Sequence, residues 1–511
     1  MEINQANSFD MFFYVKSFYL FIVLILILAG CENVIIYSAP QSEAKVDTYE
    51  LFVDRKHVDV YKCRVSKYPI NQWWKGYQRS LDQTEPAGFA YWDMEGNVEV
   101  EIISKEKVKA AIIRPQSLGI EIRINNNKIS FALDSIIPVV VEINGCHNAL
   151  HLFPNRKSKG QPTPTSPNMY YFGPGVHDIG RLQLQSNDTV CIAGGAVVYG
   201  YITAVNASNI LVYGKGILDG SRIPRSNLPY IGPGCMTLFG CRNISIKGII
   251  MRDPNRWCLN LFGCQNATIS NVKLIGLWRY NTDGLNVSNS QNISVKNCFV
   301  RSFDDALEVK GVKAWSSMPV ENVQFRNCVI WCDWGRSIGI TSETKAPYIK
   351  DVKFENCDII KSTHNAIAVN RMDNASISNI TFSNINIELD EWMKPKLQEL
   401  KDDKYNPNID DNYSPTLLSI LVSKNHLNNE VYIKDNTGGI DSVLLENIKV
   451  LGNCSAKSQM TGLSSTQSVN NVQIRNLQFN DEIVSCLEQA NITIGPFVEG
   501  VKLEYRGNPS K

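Results

Sequence analysis

A short phrase that recurs through the second half of the chain sets the narrowest limit on its fold. Each copy is an alternating apolar strand, an asparagine, an apolar residue or cysteine, and more alternation, as in Asn292-Ile-Ser-Val-Lys-Asn297. Asn271, Asn297, Asn327, Asn356, Asn384, Asn447 and Asn476 follow one another at steps of 26, 30, 29, 28, 63 and 29 residues. Period-two alternation is the signal of a strand, and a fixed period in this range marks a repeat array. Short strands at this spacing, with no helical stretch between them, predict a right-handed parallel β-helix. Each coil lies ~4.8 Å above the last. An asparagine in such a column can bond the equivalent amide above and below, and the residue after it faces the core. The step of 63 corresponds to two periods or to one coil carrying a long insertion.

The rest of the chain divides around this repeat. Residues 46–165 hold short strands separated by turns, among them Gly88-Phe-Ala-Tyr-Trp92, Val98-Glu-Val-Glu-Ile-Ile103 and Val139-Val-Val-Glu-Ile143. They predict a β-sandwich. The polar stretch Asn155–Asn168 reads as a linker or loop, and the β-helix is expected over 166–511. A Lys-, Asp- and Asn-rich segment at about 391–439 interrupts the repeat and reads as an inserted surface loop. At the other end, the apolar run Phe18–Leu28 closes on Leu28-Ala29-Gly30-Cys31. That ending resembles the bacterial lipobox. It implies a signal peptide over 1–30, lipidation of Cys31 and a linker over 31–45. The expected location is an exported lipoprotein anchored to the outer membrane, on its periplasmic or cell-surface face.

Composition excludes several function classes. The chain of 511 residues carries a net charge of +1, with 44% hydrophobic and 20% charged residues. It has no basic field for nucleic acid. Of its 14 cysteines, Cys298, Cys328 and Cys357 occupy one apolar slot of successive repeats. They read as small buried hydrophobes. No cysteine pair has zinc-like spacing, so neither a metal nor another cofactor is expected.

Chemistry concentrates in two neighbouring repeats. Asn281-Thr282-Asp283-Gly284 precedes Phe303-Asp304-Asp305-Ala306, and Asp283-Gly-Leu-Asn-Val287 matches Asp305-Ala-Leu-Glu-Val309 at an offset of 22 residues. Stacked copies bring three carboxylates onto one surface. An acid and a base on one surface are what glycoside hydrolysis requires. Matching the Leu/Ile-x-Val/Ile core pairs without gaps extends the column of Asp305 to Trp257, Asp283, Asp305, Arg336 and Asn365. Three positions on come Asn260, Asn286, Glu308, Gly339 and Ala368. Five positions on come Phe262, Ser288, Lys310, Thr341 and Asn370. Both sets alternate away from the core pairs, which predicts a polar groove with the carboxylates at its centre.

Asn-Thr-Asp-Gly, then Asp-Asp, then Ser337-Ile338-Gly339, on a parallel β-helix, resembles the polygalacturonase clan of inverting glycoside hydrolases. The wording Leu277-Trp-Arg-Tyr-Asn-Thr-Asp-Gly284 and Val300-Arg-Ser-Phe-Asp-Asp305 is closer to the dextranase and isopullulanase branch. That branch also places a β-sandwich before its β-helix. The resemblance is strongest over about Arg252–Thr341. It implies Asp304 as general acid, with Asp283 and Asp305 activating water. Lys310 and Arg336 would tune the cluster or bind hydroxyls. Asn260, Asn286, Glu308 and Asn370 would line the groove. Trp257, Trp278, Tyr280, Trp315 and Trp334 are the aromatic candidates for substrate contact, and His364 reads as a groove-wall histidine.

The departures from polygalacturonases set the substrate expectation. Their Gly-His-Gly reads here as Asp333-Trp334-Gly335, and their Arg-Ile-Lys reads as Ala368-Val369-Asn370. Losing both cations points from galacturonate to a neutral α-linked glycan, dextran- or pullulan-like. Arg336 and Arg371 lie close in sequence to the site and keep a pectin-type substrate as the alternative. A non-catalytic carbohydrate-binding surface lipoprotein is the alternative from another class.

Overall fold

The computed structural model describes residues 33–67, 81–157, 167–225, 233–312, 316–389, 415–424, 438–452 and 457–507. Cys31 with its leader, Trp315 and most of the 391–439 segment lie outside these residues.

The alternating segments form one continuous 30-stranded sheet that runs from Met169 to Glu504 and winds into a parallel β-helix. Strands from successive coils pair in parallel: Gln265–Ser270 with Gln291–Lys296, and that with Val320–Arg326. Identical registers stack like on like. Ile269, Val295, Phe325, Phe354 and Phe382 form one inward column. Within it the rings of Phe325 and Phe354 stack at 4.6 Å, and those of Phe354 and Phe382 at 5.1 Å. Cys298, Cys328 and Cys357 are free and buried in the same core.

The asparagine column falls at the turns. All seven members have φ between 53° and 56°. This is the left-handed region, which asparagine tolerates far better than branched residues do. Their amides form a ladder: Asn327 Nδ2 donates to Asn297 Oδ1 at 3.1 Å, Asn384 to Asn356 at 2.9 Å, and Asn476 to Asn447 at 2.8 Å. Asn447 donates to Asn384 at 2.8 Å, so the step of 63 residues is a single coil. A second ladder runs at another turn, through Asn187, Asn209, Asn243, Asn266, Asn292 and Asn322.

The expectation of one inserted loop over 391–439 is corrected. Thr416–Val422, inside that range, is a strand of the helix and pairs in parallel with Asn365–Arg371. Its Leu417, Leu418, Ile420 and Val422 enter the core, which suffices to hold a rung despite the polar sequence around it.

Two antiparallel-rich sheets precede the helix. The six-stranded one includes Thr84–Met94, Val139–Ile143 and Leu150–Arg156; the five-stranded one includes Tyr49–Val53, Val98–Ser104 and Lys128–Leu133. Leu51, Val100 and Phe131 meet Trp92, Val141 and Leu152 in the core between them, the packing of a β-sandwich. The opposite face of the six-stranded sheet lies on the helix, where Phe89, Tyr91 and Phe153 pack with Phe299, Val329 and Trp331. Burial on both faces explains why Gly88–Trp92 is apolar without alternation. Polar groups cross the same boundary. Arg301 donates to His151 Nε2 at 3.2 Å, and Arg114 pairs with Glu142 at 3.0 Å and Glu388 at 2.5 Å.

Candidate active site

Five strands of one face stack to make the site: Leu259–Phe262, Leu285–Ser288, Leu307–Gly311, Arg336–Thr344 and Asn365–Arg371. Leu259, Leu285, Leu307, Ile338 and Ile367 are in register, as the gapless alignment expects. Asp283 and Asp305 therefore precede equivalent strands in adjacent coils. Asp304 shares the bend with Asp305. Ser302 Oγ donates to the Asp304 carbonyl at 2.6 Å, and the Gly335 amide donates to the Phe303 carbonyl at 3.1 Å. The next coil passes so close that a Cβ on Gly335 would lie 2.3 Å from the Asp305 nitrogen and 2.5 Å from the Asp304 carbonyl carbon. Only glycine fits there.

Lys310 is the hub of the cluster. Its ammonium donates to Asp283 Oδ2 at 2.9 Å and to Asp305 Oδ2 at 3.0 Å, and Glu343 Oε2 lies 3.4 Å away. It also sits 4.3 Å from the centre of the Trp257 ring. The Arg336 amide donates to Asp305 Oδ1 at 3.0 Å, with its guanidinium 3.5 Å from the same oxygen. Thr341 Oγ donates to Glu308 Oε2 at 2.9 Å and lies 3.5 Å from Asp305 Oδ2.

These contacts separate the carboxyl groups electrostatically. Burial, then the charge of Asp305, pushes Asp304 up to about 7. Burial acts on Asp305 in the same direction, but Lys310 and Arg336 overcome it and hold that group at about 2. Asp283 is driven well above the usual range by burial and by Asp304 and Asp305, against the pull of Lys310. Like charges crowded in a dry site cannot all ionise. The bend thus holds a protonated acid next to an ionised carboxylate, a combination suited to general acid–base chemistry.

The carboxyl groups lie deeper than an open groove implies. Asp283 is 1% and Asp304 6% exposed. Asn260, Asn286 and Glu308 are corrected as groove-lining residues, because all three are fully buried. Trp257 and Lys310 lie across this face of the sheet, and Trp257 is itself buried. Trp278, 9% exposed, is corrected as a stacking platform. Its indole N–H donates to Asp253 at 2.9 Å, and its ring carries the Arg279 guanidinium at 4.5 Å. Asn370 is buried and hydrogen-bonded to Ser419 at 2.9 Å.

Tyr280, Trp334, Arg336 and His364 are half-buried and remain at the surface of the site. Trp334 stacks on Phe303 at 5.4 Å and on Tyr280 at 6.1 Å, forming an aromatic wall beside the bend. Burial and the nearby Arg336 lower His364 to about 3, so it is neutral at physiological pH. Glu343 was missed by the sequence reading. A register shift after Val309, with Ser342 at φ 59°, carries it to Lys310, and a gapless register cannot count through that bulge. Among the described residues, no group of three or more His, Cys, Asp or Glu is placed to hold a metal ion.

The parallel β-helix thus carries three aspartates on adjacent coils, with Asp304 pushed toward its protonated form and Asp305 held ionised. Residues 197–489 match the model of glycosyl hydrolases family 28, and the chain belongs to that family. It is 22% identical over 291 residues to polygalacturonase-2 of Solanum lycopersicum, covering 51% of this chain and 59% of that protein. It is 26% identical over 180 residues to polygalacturonase QRT2 of Arabidopsis thaliana, covering 32% of this chain and 38% of that protein. The chain thus spans about half the length of the curated relatives it matches. Dex49A from Penicillium minioluteum shares the fold over 92% of this chain and 90% of its own, with a TM-score of 0.57 at 15% identity.

Proposed function

We propose that the protein hydrolyses an α-linked neutral glycan, dextran- or pullulan-like, with inversion at the anomeric carbon. Asp304 gives its proton to the glycosidic oxygen as the bond to the anomeric carbon breaks. A water on the opposite face of the sugar forms the new bond to that carbon and passes its proton to Asp305. Asp283, whose Oδ1 has no hydrogen-bond partner, accepts the water's other hydrogen and orients it. The trapped pair of protonation states next to the bend supports these roles. The aromatic wall of Tyr280 and Trp334 supplies a face on which a sugar ring can stack.

One observation carries the substrate class: the cations of the site are engaged by the protein itself. Lys310 is held by Asp283 and Asp305, and Arg336 by Asp305. Arg371 is buried and donates from Nε to the Ala375 carbonyl at 2.9 Å. A uronate entering beside these carboxylates would be repelled without a compensating charge. The names of the curated relatives favour the second reading, a pectin-type hydrolase. Parallel assays on dextran, pullulan and polygalacturonate decide between them, with NMR of the first-formed product reporting the anomer. Cleavage of polygalacturonate alone rejects the neutral-glycan reading, and a retained anomer rejects inversion. Membrane anchoring through a lipid on Cys31 is part of the same proposal. Loss of membrane association in Cys31→Ser tests it.

A further inference from the structure

A buried polar column runs beneath the reacting groups. Thr237, Asn260, Asn286 and Glu308 occupy it in successive coils, in register. Asn260 Nδ2 donates to Thr237 Oγ1 at 3.2 Å, and Asn286 Nδ2 donates to Asn260 Oδ1 at 3.3 Å. Above that the ladder breaks. Asn286 Oδ1 and Glu308 Oε1 are both shut off from solvent and both lack a hydrogen-bond partner. Glu308 Oε2 accepts the Thr341 hydroxyl at 2.9 Å.

Two bare acceptors on register-paired buried residues are unfavourable, because each has lost its water without gaining a donor. One hydrogen between them satisfies both. Asn286 has committed an amide hydrogen to Asn260, and its Oδ1 can only accept. The hydrogen therefore belongs to Glu308. We propose that Glu308 is held as a protonated acid at working pH, donating from Oε1 to Asn286 Oδ1. In this state it acts as a positioning residue that keeps a further negative charge away from Asp305.

The surroundings agree. The charged groups acting on Glu308 are Asp305, Lys310 on its own strand and, from the following coil, Arg336. Asp283 and Glu343 are held to Lys310. Burial and the charge of Asp305 push Glu308 well above the usual carboxylate range, while Lys310, the Thr341 bond and Arg336 pull less strongly the other way. An ionised Glu308 would repel the charge on Asp305 and raise that group's proton affinity. The inference rests on Asp305 as the ionised base of the proposed mechanism, but the proton itself can be observed without substrate.

The test joins a spectrum to a pH profile. Infrared spectra of the full-length protein at about pH 8, where ordinary glutamates are ionised, should contain a protonated carboxyl band that disappears in Glu308→Gln. Glutamine can reproduce both bonds, giving its amide hydrogen to Asn286 and accepting from Thr341. Glu308→Gln is therefore expected to keep kcat within about 3-fold of wild type, the scale of one exchanged hydrogen bond, with the acid limb of kcat/KM in place. Glu308→Leu, which opens the column, should lower kcat and move that limb. If Glu308→Leu does not fold, the infrared band still decides. A wild-type spectrum without the band, or an acid limb displaced by about one pH unit or more in Glu308→Gln, overturns the proposal by showing Glu308 ionised. Loss of all activity on every glycan with the band intact instead counts against the proposed function.

Discussion

The backbone N–H of Asp305 donates to Oδ1 of Asp304 at 3.0 Å, so two consecutive aspartates are locked in one bend with their carboxyl groups in different environments. One faces the cations and the other does not pair with them. Adjacent residues of identical chemistry consequently differ by about five pH units in proton affinity, from about 2 to about 7.

Conservative removal of each carboxylate tests the division of labour. Asp283→Asn, Asp304→Asn and Asp305→Asn are each expected to lower kcat by about 100- to 10,000-fold, the usual contribution of a positioned acid or base. Circular dichroism should show the β-helix intact. An Asp304→Asn variant with wild-type turnover would exclude it as the acid.

Activity should fall as pH rises through about 7, because Asp304 must be protonated to act and loses its proton there. Arg336 lowers the proton affinity of both Asp304 and Asp305. In Arg336→Met both limbs of the kcat/KM profile should shift to higher pH, by about half a unit or more. A pH titration of kcat/KM for both proteins checks the direction.

Lys273 is buried between helix and sandwich, donating to Asn155 Oδ1 at 2.6 Å. Burial, then Lys215, lowers it to about 7. Between about pH 7 and its ordinary value of 10.5 the unfolded chain binds a proton that the folded one does not. Stability therefore rises with pH across that window. Lys273→Met should stabilise the fold by on the order of a few kcal/mol at pH 6. The gain should shrink steadily above about pH 7. Denaturant melts at a series of pH values measure both.

Gly335→Ala should displace the catalytic bend, since its Cβ would lie 2.3 Å from the Asp305 nitrogen. Misplacement by about 1 Å can cost ~100-fold in rate. The expected result is a drop in kcat with little change in KM, read by steady-state kinetics on a soluble glycan. Unchanged kcat would show that the bend has room to move.

What was legible in the sequence followed from strict alternation. Leu259, Leu285, Leu307, Ile338 and Ile367 share one apolar pattern, and aligning them placed Asp283, Asp305 and Arg336 correctly. The pattern says which face a side chain takes but not what covers that face. Hence Asn260, Asn286 and Glu308 read as a groove although they are buried. Glu343 was hidden behind a bulge. The pairing of Arg114 with Glu388 was beyond reach, because it joins groups 274 residues apart through the docking of two structures. The second asparagine ladder, through Asn187, Asn209, Asn243, Asn266, Asn292 and Asn322, was not read from the sequence, and its register became clear only once the coils were stacked.

The sandwich touches the helix over a long span. Tyr91 receives the Gly195 amide, Asn155 receives the Asn271 amide, His151 meets Arg301, Ser117 donates to Asp358, and Arg114 pairs with Glu388. A coiled stack has only nearest-neighbour cohesion, so an isolated one can peel apart coil by coil. Here the sandwich works as a splint laid across the coils that carry the aspartates. Heat should therefore open the stack from its C-terminal rungs, while the coils around Asp283 and Asp305 stay joined until the splint itself lets go.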